Sequence, residues 1–430
     1  MLGAAAGVTR GEAAFLQQDS HTYLALAESM VVESAFASAT GELEVFRTPG
    51  YPFLISLGAS FGAALAVTLA IQLALTVLLM SLVFAIVERA TGSSATGRLA
   101  AAAVGLEPTL LLWSIQIMPE TLLAATLLAF IWSAQRFFEQ PSAGWVAAAA
   151  FSLLAAAYVK PIAYPLAGLL MIVAGVWSFL LRSQPGFRVP AWVFVAICAT
   201  GLGAWHVRNG VGAGYWGFST QIDHALYLSG AGAVRARLEG ERYIDVRQRM
   251  LAAAADLPAT AEPDRLSRFQ MMRRIGWRTF WSEPLTFASV HVAGMVRTLL
   301  DPGAVEYFRL FGAYPDNGGL LGRAVDRGVL HAAWELATHR PALWWSTVAL
   351  SIVTWPYVMF AAWPGGHTQA RVQPAGFLAA VCAVYLLIAG GGVPGSSRFR
   401  APAVPLLVLS AVLARPRVGH APLPSPVPDR

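Results

Sequence analysis

Two short motifs near the start of this chain have the residue types for phosphate and hydroxyl chemistry. Asp19 stands where a helix is predicted to begin, with Tyr23 one turn later. Arg47 opens the motif Arg-Thr-Pro-Gly-Tyr-Pro, in which two prolines and a glycine predict a rigid turn. An arginine on a stiff turn suits a phosphate, because a guanidinium can donate two parallel hydrogen bonds to it. A carboxylate beside such a phosphate suits a general base.

Other polar residues lie at the ends of apolar segments, where a charge is costly unless it has a partner or a use. The remaining candidate site residues are Tyr51, Glu120, Lys160, His206, Arg208 and Arg398. Some candidates also have a purely structural interpretation. Asp19 could cap its helix, Arg47 could bind a lipid headgroup, and Glu120 could oppose a helix dipole.

The composition indicates which elements must position these residues. Hydrophobic residues make up 56% of the 430 residues and charged residues 13%, against about 25% charged in a soluble domain. Two cysteines exclude a disulfide scaffold, and 14 Trp with 22 Phe exclude a disordered chain. The net charge of +6 could indicate nucleic acid. Arginines that hold membrane loops on one side also explain it, so we expect a lipid bilayer and no nucleic acid as partner.

The hydrophobic segments predict an all-α polytopic membrane protein with about nine to ten transmembrane helices, since a spanning helix needs about 20 apolar residues. Several of the segments are short, and some contain proline, which membrane helices tolerate. The nine candidate segments are 63–87, 99–118, 121–135, 145–159, 162–181, 189–205, 342–363, 375–393 and 401–414.

The basic residues of the short loops predict the orientation. One side holds Arg89, Arg98, Arg136, Arg182, Arg188, Arg371, Arg415, Arg417 and Arg430, and the other holds Lys160, Arg398 and Arg400. The first side is therefore predicted to be cytoplasmic, which places the candidate site residues together at the outer face of the cytoplasmic (inner) membrane. An outside N-terminus needs an export signal and residues 1–18 have no apolar h-region, so we expect a first membrane helix upstream.

This topology divides the chain into five parts. Residues 1–62 form a first outer loop, and residues 63–205 a six-helix transmembrane bundle. Residues 206–341 form an outer region, in which 265–278 predicts a basic amphipathic helix and 284–300 an interfacial or re-entrant helix. Residues 342–414 supply three C-terminal transmembrane helices. The proline-rich residues 415–430 are predicted to be a disordered cytoplasmic tail.

Three motifs in this order resemble the GT-C class of integral-membrane glycosyltransferases. They are Asp-Ser-x-x-Tyr-x-x-x-Ala from Asp19, Arg-Thr-Pro-Gly-Tyr-Pro from Arg47, and Pro-Glu-Thr-Leu from Pro119. The most similar branch is the bacterial one related to protein O-mannosyltransferases and to the aminoarabinose transferases that act on lipid A. The segments at 205–209 and 398–402 are similar to later outer segments of that branch.

The resemblance implies an enzyme of the bacterial cell envelope that takes a hexose or pentose from a polyprenyl-phosphate donor. The acceptor would be a hydroxyl of a glycan, lipid or protein outside the cytoplasmic membrane. Asp19 would be the catalytic residue, as general base or acceptor-orienting group. Arg47 and Arg398 would bind the donor phosphate. Lys160 and Arg208 would bind it too, but they match the family by position more than by motif. We expect inversion at the anomeric carbon.

The sequence departs from the family at one point that concerns metals. Relatives often carry two adjacent acids in the first loop, whereas Ser20 follows Asp19 here. A divalent metal is therefore allowed by the resemblance but unsupported, and no His/Asp spacing predicts a metal site. The lipid-linked sugar phosphate is the substrate, and no cofactor is predicted.

Two functions from other classes also fit membrane-level cations. One is a transporter or flippase for a lipid-linked sugar, although transporters often show two similar halves, which this sequence does not. The other is a non-catalytic cell-envelope subunit. For that subunit, substitution of Asp19 is expected to leave the phenotype unchanged.

Overall fold

The helical fold class is confirmed. A computed structural model describes residues 2–38, 40–180, 185–255, 264–313, 329–362, 373–392 and 395–413. Within these ranges every regular element is a helix, and the one β-type contact is a bridge between Ala37 and Leu43. Helices satisfy their own backbone hydrogen bonds, which hydrocarbon surroundings demand.

Five helices of the described ranges are long and apolar enough to cross a membrane. They are Ala64–Thr91, Glu120–Glu139, Pro161–Leu180, Arg188–Ala213 and Pro341–Phe360. Four shorter apolar helices accompany them: Gly50–Ala59, Ala143–Val159, Pro284–Leu300 and Pro374–Ala389. Side chains such as Val77, Ile172 and Ile352 are 64%, 65% and 68% exposed, which is costly in water and favourable in lipid. The chain is therefore a polytopic membrane protein.

One large apolar core joins helices of the first half of the chain to its last described helix. Leu79, Leu127 and Leu153 come from its first half and are fully buried. Leu409, from the last described helix Val404–Leu413, is buried in the same cluster. The C-terminal helices thus pack inside the first bundle, and the segment around residue 398 lies close to residues encoded far earlier.

The single spanning helix predicted over 99–118 is wrong. The structure has two shorter helices there, Ser94–Gly105 and Pro108–Ser114. Pro108 cannot donate the hydrogen bond that would continue the first helix, and Glu107 caps the second by accepting a hydrogen bond from the Leu110 backbone N–H at 2.7 Å. The break places a buried carboxylate at the junction.

Two helices have boundaries that differ from the predicted ones. The helix that contains segment 189–205 runs from Pro185 to Ala213 and so extends past the predicted limit at 205. The last segment opens with the one-turn helix Ser397–Arg400 and a 3-10 turn, Ala401–Ala403, before Val404–Leu413. The predicted tail 415–430 lies outside the described residues.

Several of the remaining helices pack around a small core of their own, which includes Phe269 and Met272. The predicted amphipathic and apolar helices of the outer region are both present, as Asp264–Ser282 and Pro284–Leu300. The other short helices and turns are Leu2–Arg10, Gly11–Phe15, Gln18–Val32, Gln221–Ala225, Leu226–Ala231, Gly232–Glu239, Tyr243–Ala255, Ala304–Leu310 and Val329–His339.

Candidate functional site

Asp19 is not the cap of its helix, which begins at Gln18. Gln17 occupies the cap position and forms a reciprocal capping box with Ser20. The Ser20 hydroxyl also donates to the Ile117 carbonyl oxygen at 2.8 Å, which pins the helix start beside the segment that precedes Glu120. The Asp19 carboxylate is therefore available for partners from elsewhere in the chain.

The motif Arg-Thr-Pro-Gly-Tyr-Pro, whose last three residues begin helix Gly50–Ala59, is held by the Glu44 carboxylate and by a close backbone contact. The Glu44 carboxylate accepts hydrogen bonds from the backbone N–H groups of Phe46 and Arg47 at 2.5 and 2.9 Å. A Cβ at Gly50 would lie 2.8 Å from the Tyr158 carbonyl oxygen, so only glycine fits this approach. The contact brings the turn against the end of helix Ala143–Val159, immediately before Lys160.

Five charged side chains from five separate segments form one network, named here the charged cluster. Asp19 binds Arg47 through Oδ1 at 2.8 Å and Arg398 through Oδ2 at 2.8 Å. Arg398 also donates through Nε to Glu120 Oε1 at 2.6 Å. Lys160 Nζ reaches the same Glu120 oxygen at 2.8 Å. Three cations against two carboxylates leave a net charge of +1, which favours an anion.

Aromatic rings line the charged cluster. The Tyr23 hydroxyl accepts a hydrogen bond from Arg47 at 3.1 Å, and the Arg47 guanidinium carbon lies 4.7 Å from the same ring. The Arg398 guanidinium lies 5.8 Å from the Trp113 ring. Aromatic faces attract such cations, most strongly away from water.

Exposure differs sharply across the charged cluster. The Asp19 side chain is 33% exposed and Arg398 20%, whereas Arg47 and Lys160 are 6% exposed and Glu120 is fully buried. An incoming molecule would therefore meet Asp19 and Arg398 first. Buried Arg47 Nε and Glu120 Oε2 have no hydrogen-bond partner within the part of the chain that the structure describes.

The neighbouring charges decide the ionisation of Asp19. Partial burial raises the pKa of its carboxyl, but the positive charges of Arg398 and Arg47 outweigh burial and lower the pKa to about 2. Asp19 is therefore ionised at neutral pH and holds its proton weakly. Burial lowers the pKa of Arg398, and the stronger effect of Glu120 and Asp19 raises it above its ordinary value.

The structure places the other three predicted site residues outside the charged cluster. Tyr51 is adjacent: its ring meets Tyr23 edge-on at 5.1 Å, and its hydroxyl donates to Gln72. His206 lies 3.1 Å from the Tyr164 hydroxyl. The Arg208 guanidinium donates to the backbone carbonyls of Glu44 and Phe36 and stacks on Trp205 at 4.5 Å. These contacts therefore fasten the segment that contains Phe36 and Glu44.

Sequence reasoning missed a second buried ion pair next to the charged cluster. Arg400 is 1% exposed, and its Nη2 lies 3.4 Å from Glu107 Oε1. A signal was present, because the motif Ser-Arg-Phe-Arg has two arginines two residues apart, which one helical turn directs to opposite sides. Glu107 lies within the predicted membrane segment 99–118, where a carboxylate needs a partner.

No set of three or more His, Cys, Asp or Glu side chains within the described ranges is placed to hold a metal ion. The expectation that no metal is held tightly stays a prediction.

Neither a protein-family model nor a curated protein matches the sequence. The chain is similar to a solved structure, the crystal structure of ArnT from Cupriavidus metallidurans bound to undecaprenyl phosphate. The two share 17% identical residues, with 96% of this chain and 76% of that chain covered and a TM-score of 0.37. We transfer no residue role from that structure.

Proposed function

We propose that this protein is a membrane glycosyltransferase that moves a sugar from a polyprenyl-phosphate donor to an acceptor hydroxyl. The observation that carries the proposal is the contact of Asp19 with Arg47 and Arg398, since it combines a carboxylate with two phosphate-binding guanidinium groups in one accessible place. The site faces the outside of the cytoplasmic membrane in this proposal, as the distribution of basic residues supports.

The two arginines bind the donor phosphate. A guanidinium matches phosphate geometry, and the buried surroundings of Arg47 strengthen its interaction with an anion. Lys160, which binds the buried Glu120, adds positive charge near the two arginines. As the sugar leaves, negative charge develops on the phosphate, and these cations stabilise it.

Asp19 accepts the proton of the acceptor hydroxyl. The acceptor oxygen bonds to the anomeric carbon, the bond from that carbon to the phosphate oxygen breaks, and its electron pair leaves with the polyprenyl phosphate. A positioned base contributes about 10²–10⁴-fold to such a step. A single displacement inverts the anomeric carbon, and product stereochemistry measured by NMR checks this.

Phosphate binding also prepares the base. Asp19 accepts one hydrogen bond from Arg47 and one from Arg398. When a phosphate binds, it accepts hydrogen bonds from the same two arginines, and Asp19 loses its own. With its two cationic partners engaged by the phosphate, the pKa of the Asp19 carboxyl rises from about 2 toward the value of a useful base. The donor thus activates the group that the acceptor needs.

The test is binding and transfer by the purified protein in lipid nanodiscs. Arg398→Gln is expected to weaken binding of undecaprenyl phosphate at least about tenfold, or about 1.4 kcal/mol. The matched control is Arg89→Gln, which breaks the exposed Arg89–Glu139 pair outside the charged cluster and is expected to change binding little.

Mass spectrometry of envelope glycans and glycolipids from a deletion strain would then identify the transferred sugar and its acceptor. Equal binding by Arg398→Gln and the control would remove the phosphate site from the proposal. Movement of a labelled lipid-linked sugar between leaflets without any transfer would replace the enzyme by a transporter.

A further inference from the structure

The one-turn helix Ser397–Arg400, which carries Arg398, is bonded to the end of helix Pro284–Leu300. Asp301 directly follows that helix. Its Oδ2 accepts a hydrogen bond from the Ser397 backbone N–H at 2.7 Å, and its Oδ1 accepts one from the Gly303 backbone N–H at 3.0 Å. One carboxylate thus joins the end of one helix to the start of the other.

Arg400 makes the same connection from the opposite direction. Its Nη1 donates to the carbonyl oxygens of Thr298, Leu299 and Asp301 at 3.1, 2.7 and 2.7 Å. The last carbonyl groups of a helix lack partners within it and carry partial negative charge, so a buried guanidinium satisfies them well. Its Nη2 donates to the Thr109 hydroxyl at 2.7 Å.

Glycines form a second contact between helix Pro284–Leu300 and the residues that precede Ser397. A Cβ at Gly294 would clash with the Gly392 carbonyl oxygen, and one at Gly395 would clash with the Gly294 carbonyl oxygen. The backbones are therefore in direct contact, which only glycine permits. His291 Nε2 also lies 2.7 Å from the Ile388 carbonyl oxygen. Helix Pro284–Leu300 is therefore packed directly against Gly392 and Gly395, close to Arg398 in sequence.

The geometry of one helical turn links these contacts to Arg398. Residues two apart on a helix point about 200° away from each other. With Arg400 held on the side of helix Pro284–Leu300, Arg398 points to the other side, where it binds Asp19 and Glu120. Such support is needed, because Arg398 and Lys160 share one Glu120 oxygen and repel each other.

We propose that Asp301 and Arg400 are positioning residues, which hold the turn Ser397–Arg400 against helix Pro284–Leu300 so that Arg398 reaches the phosphate-binding position. The consequence for binding rests on the proposed function, whereas the effect on the turn does not. The experiment therefore has two readouts, one independent of any substrate.

The first readout is hydrogen–deuterium exchange of the protein in nanodiscs. Asp301→Ala is expected to raise exchange of the Ser397 amide at least about tenfold, because that amide loses its acceptor. Asp301→Val, which has no side-chain acceptor, serves if the alanine variant does not accumulate. The control is Asp223→Ala, which removes a buried aspartate bound to Arg273 and should leave exchange at Ser397 unchanged. Unchanged exchange at Ser397 in the Asp301 variants would overturn the proposal.

The second readout is binding of undecaprenyl phosphate in a double-mutant cycle. Asp301→Ala and Arg398→Gln are each expected to weaken binding about tenfold, and the double variant no more than Arg398→Gln alone, because residues that act through one another are not additive. Additive losses would make Asp301 merely structural and contradict the proposal. If the wild type binds no undecaprenyl phosphate, the proposed function fails and the exchange experiment still decides the positioning role.

Rescue by a conservative change gives an independent check on Arg400. Arg400→Lys keeps a positive charge near the helix-end carbonyls and is expected to lose less binding than Arg400→Gln, which should lose about tenfold. Equal losses in the two variants would count against positioning by this residue.

Discussion

Asp19 contacts both arginines that the proposed function assigns to the donor phosphate, and it is the most exposed member of the charged cluster. Its carboxylate therefore competes with an incoming phosphate for the same donors. This competition lowers the affinity for phosphate. The Asp19 carboxylate also keeps the two guanidinium groups oriented and paired while no phosphate is bound. Substitution of Asp19 can separate its effect on phosphate binding from its effect on transfer.

Asp19→Asn is expected to bind undecaprenyl phosphate about tenfold more tightly and to transfer no sugar, because it removes one negative charge and the proton acceptor together. Lipid binding measured beside transfer by the same preparation checks both. Weaker binding in Asp19→Asn would contradict this prediction, because it would show that orientation of the two arginines by Asp19 outweighs its competition with the phosphate.

The lowered pKa of Asp19 has a consequence for stability. A carboxyl with a folded-state pKa of about 2 and an ordinary value of 3.8 stabilises the fold fully above the ordinary value, and this contribution is lost as pH falls toward 2. The difference in melting temperature between wild type and Asp19→Asn is therefore expected to be constant from about pH 5 to 8 and to shrink below about pH 4. Thermal unfolding followed across this range measures it. A difference that already declines at pH 6 would contradict the lowered pKa.

At the scale of elements, the close approach of Gly50 to Tyr158 connects the Arg47 turn to the helix end before Lys160. Two cations of the charged cluster thereby have a common support. The contact joins backbone to backbone, so it cannot relax through a change of rotamer.

Gly50→Ala is expected to lower stability by about 1–3 kcal/mol through overpacking, and to weaken phosphate binding because Arg47 shifts. Thermal unfolding and lipid binding of the variant measure the two effects. The control is Gly168→Ala, since a Cβ there meets nothing within 4 Å and alanine favours a helix. A Gly50→Ala protein as stable as the control would show that the approach is looser than described.

At the scale of the whole molecule, the arginine-rich loops predict which way the protein faces. Cys198 and Cys382 are both buried, so they can be replaced to give a background for single-cysteine labelling. Two exposed positions, Thr40 and Gln140, lie in loops predicted to be on opposite sides.

Thr40→Cys is expected to react with a membrane-impermeant maleimide in intact cells, and Gln140→Cys only after the membrane is permeabilised. The reverse pattern would place the charged cluster on the cytoplasmic side and would reject the proposed orientation.

Much of the fold follows from local sequence. Apolar length predicts the helix over 63–87, which the structure has as Ala64–Thr91, because spanning lipid requires about 20 residues with paired backbones. Local signals were weaker where a helix is interrupted. The segment 99–118 is apolar throughout most of its length, yet Pro108 and the capping by Glu107 divide it.

The sequence by itself determined the helical membrane class and the order of the motifs around Asp19, Arg47 and Glu120, since hydropathy, proline and glycine act over a few residues. Only the tertiary structure decided which charges meet. Arg398 joins Asp19 from 379 positions away, while Arg208 binds backbone carbonyls instead. Charge pairing depends on distance in space, and in a bundle that distance is set by the packing of buried side chains such as Leu127 and Leu409.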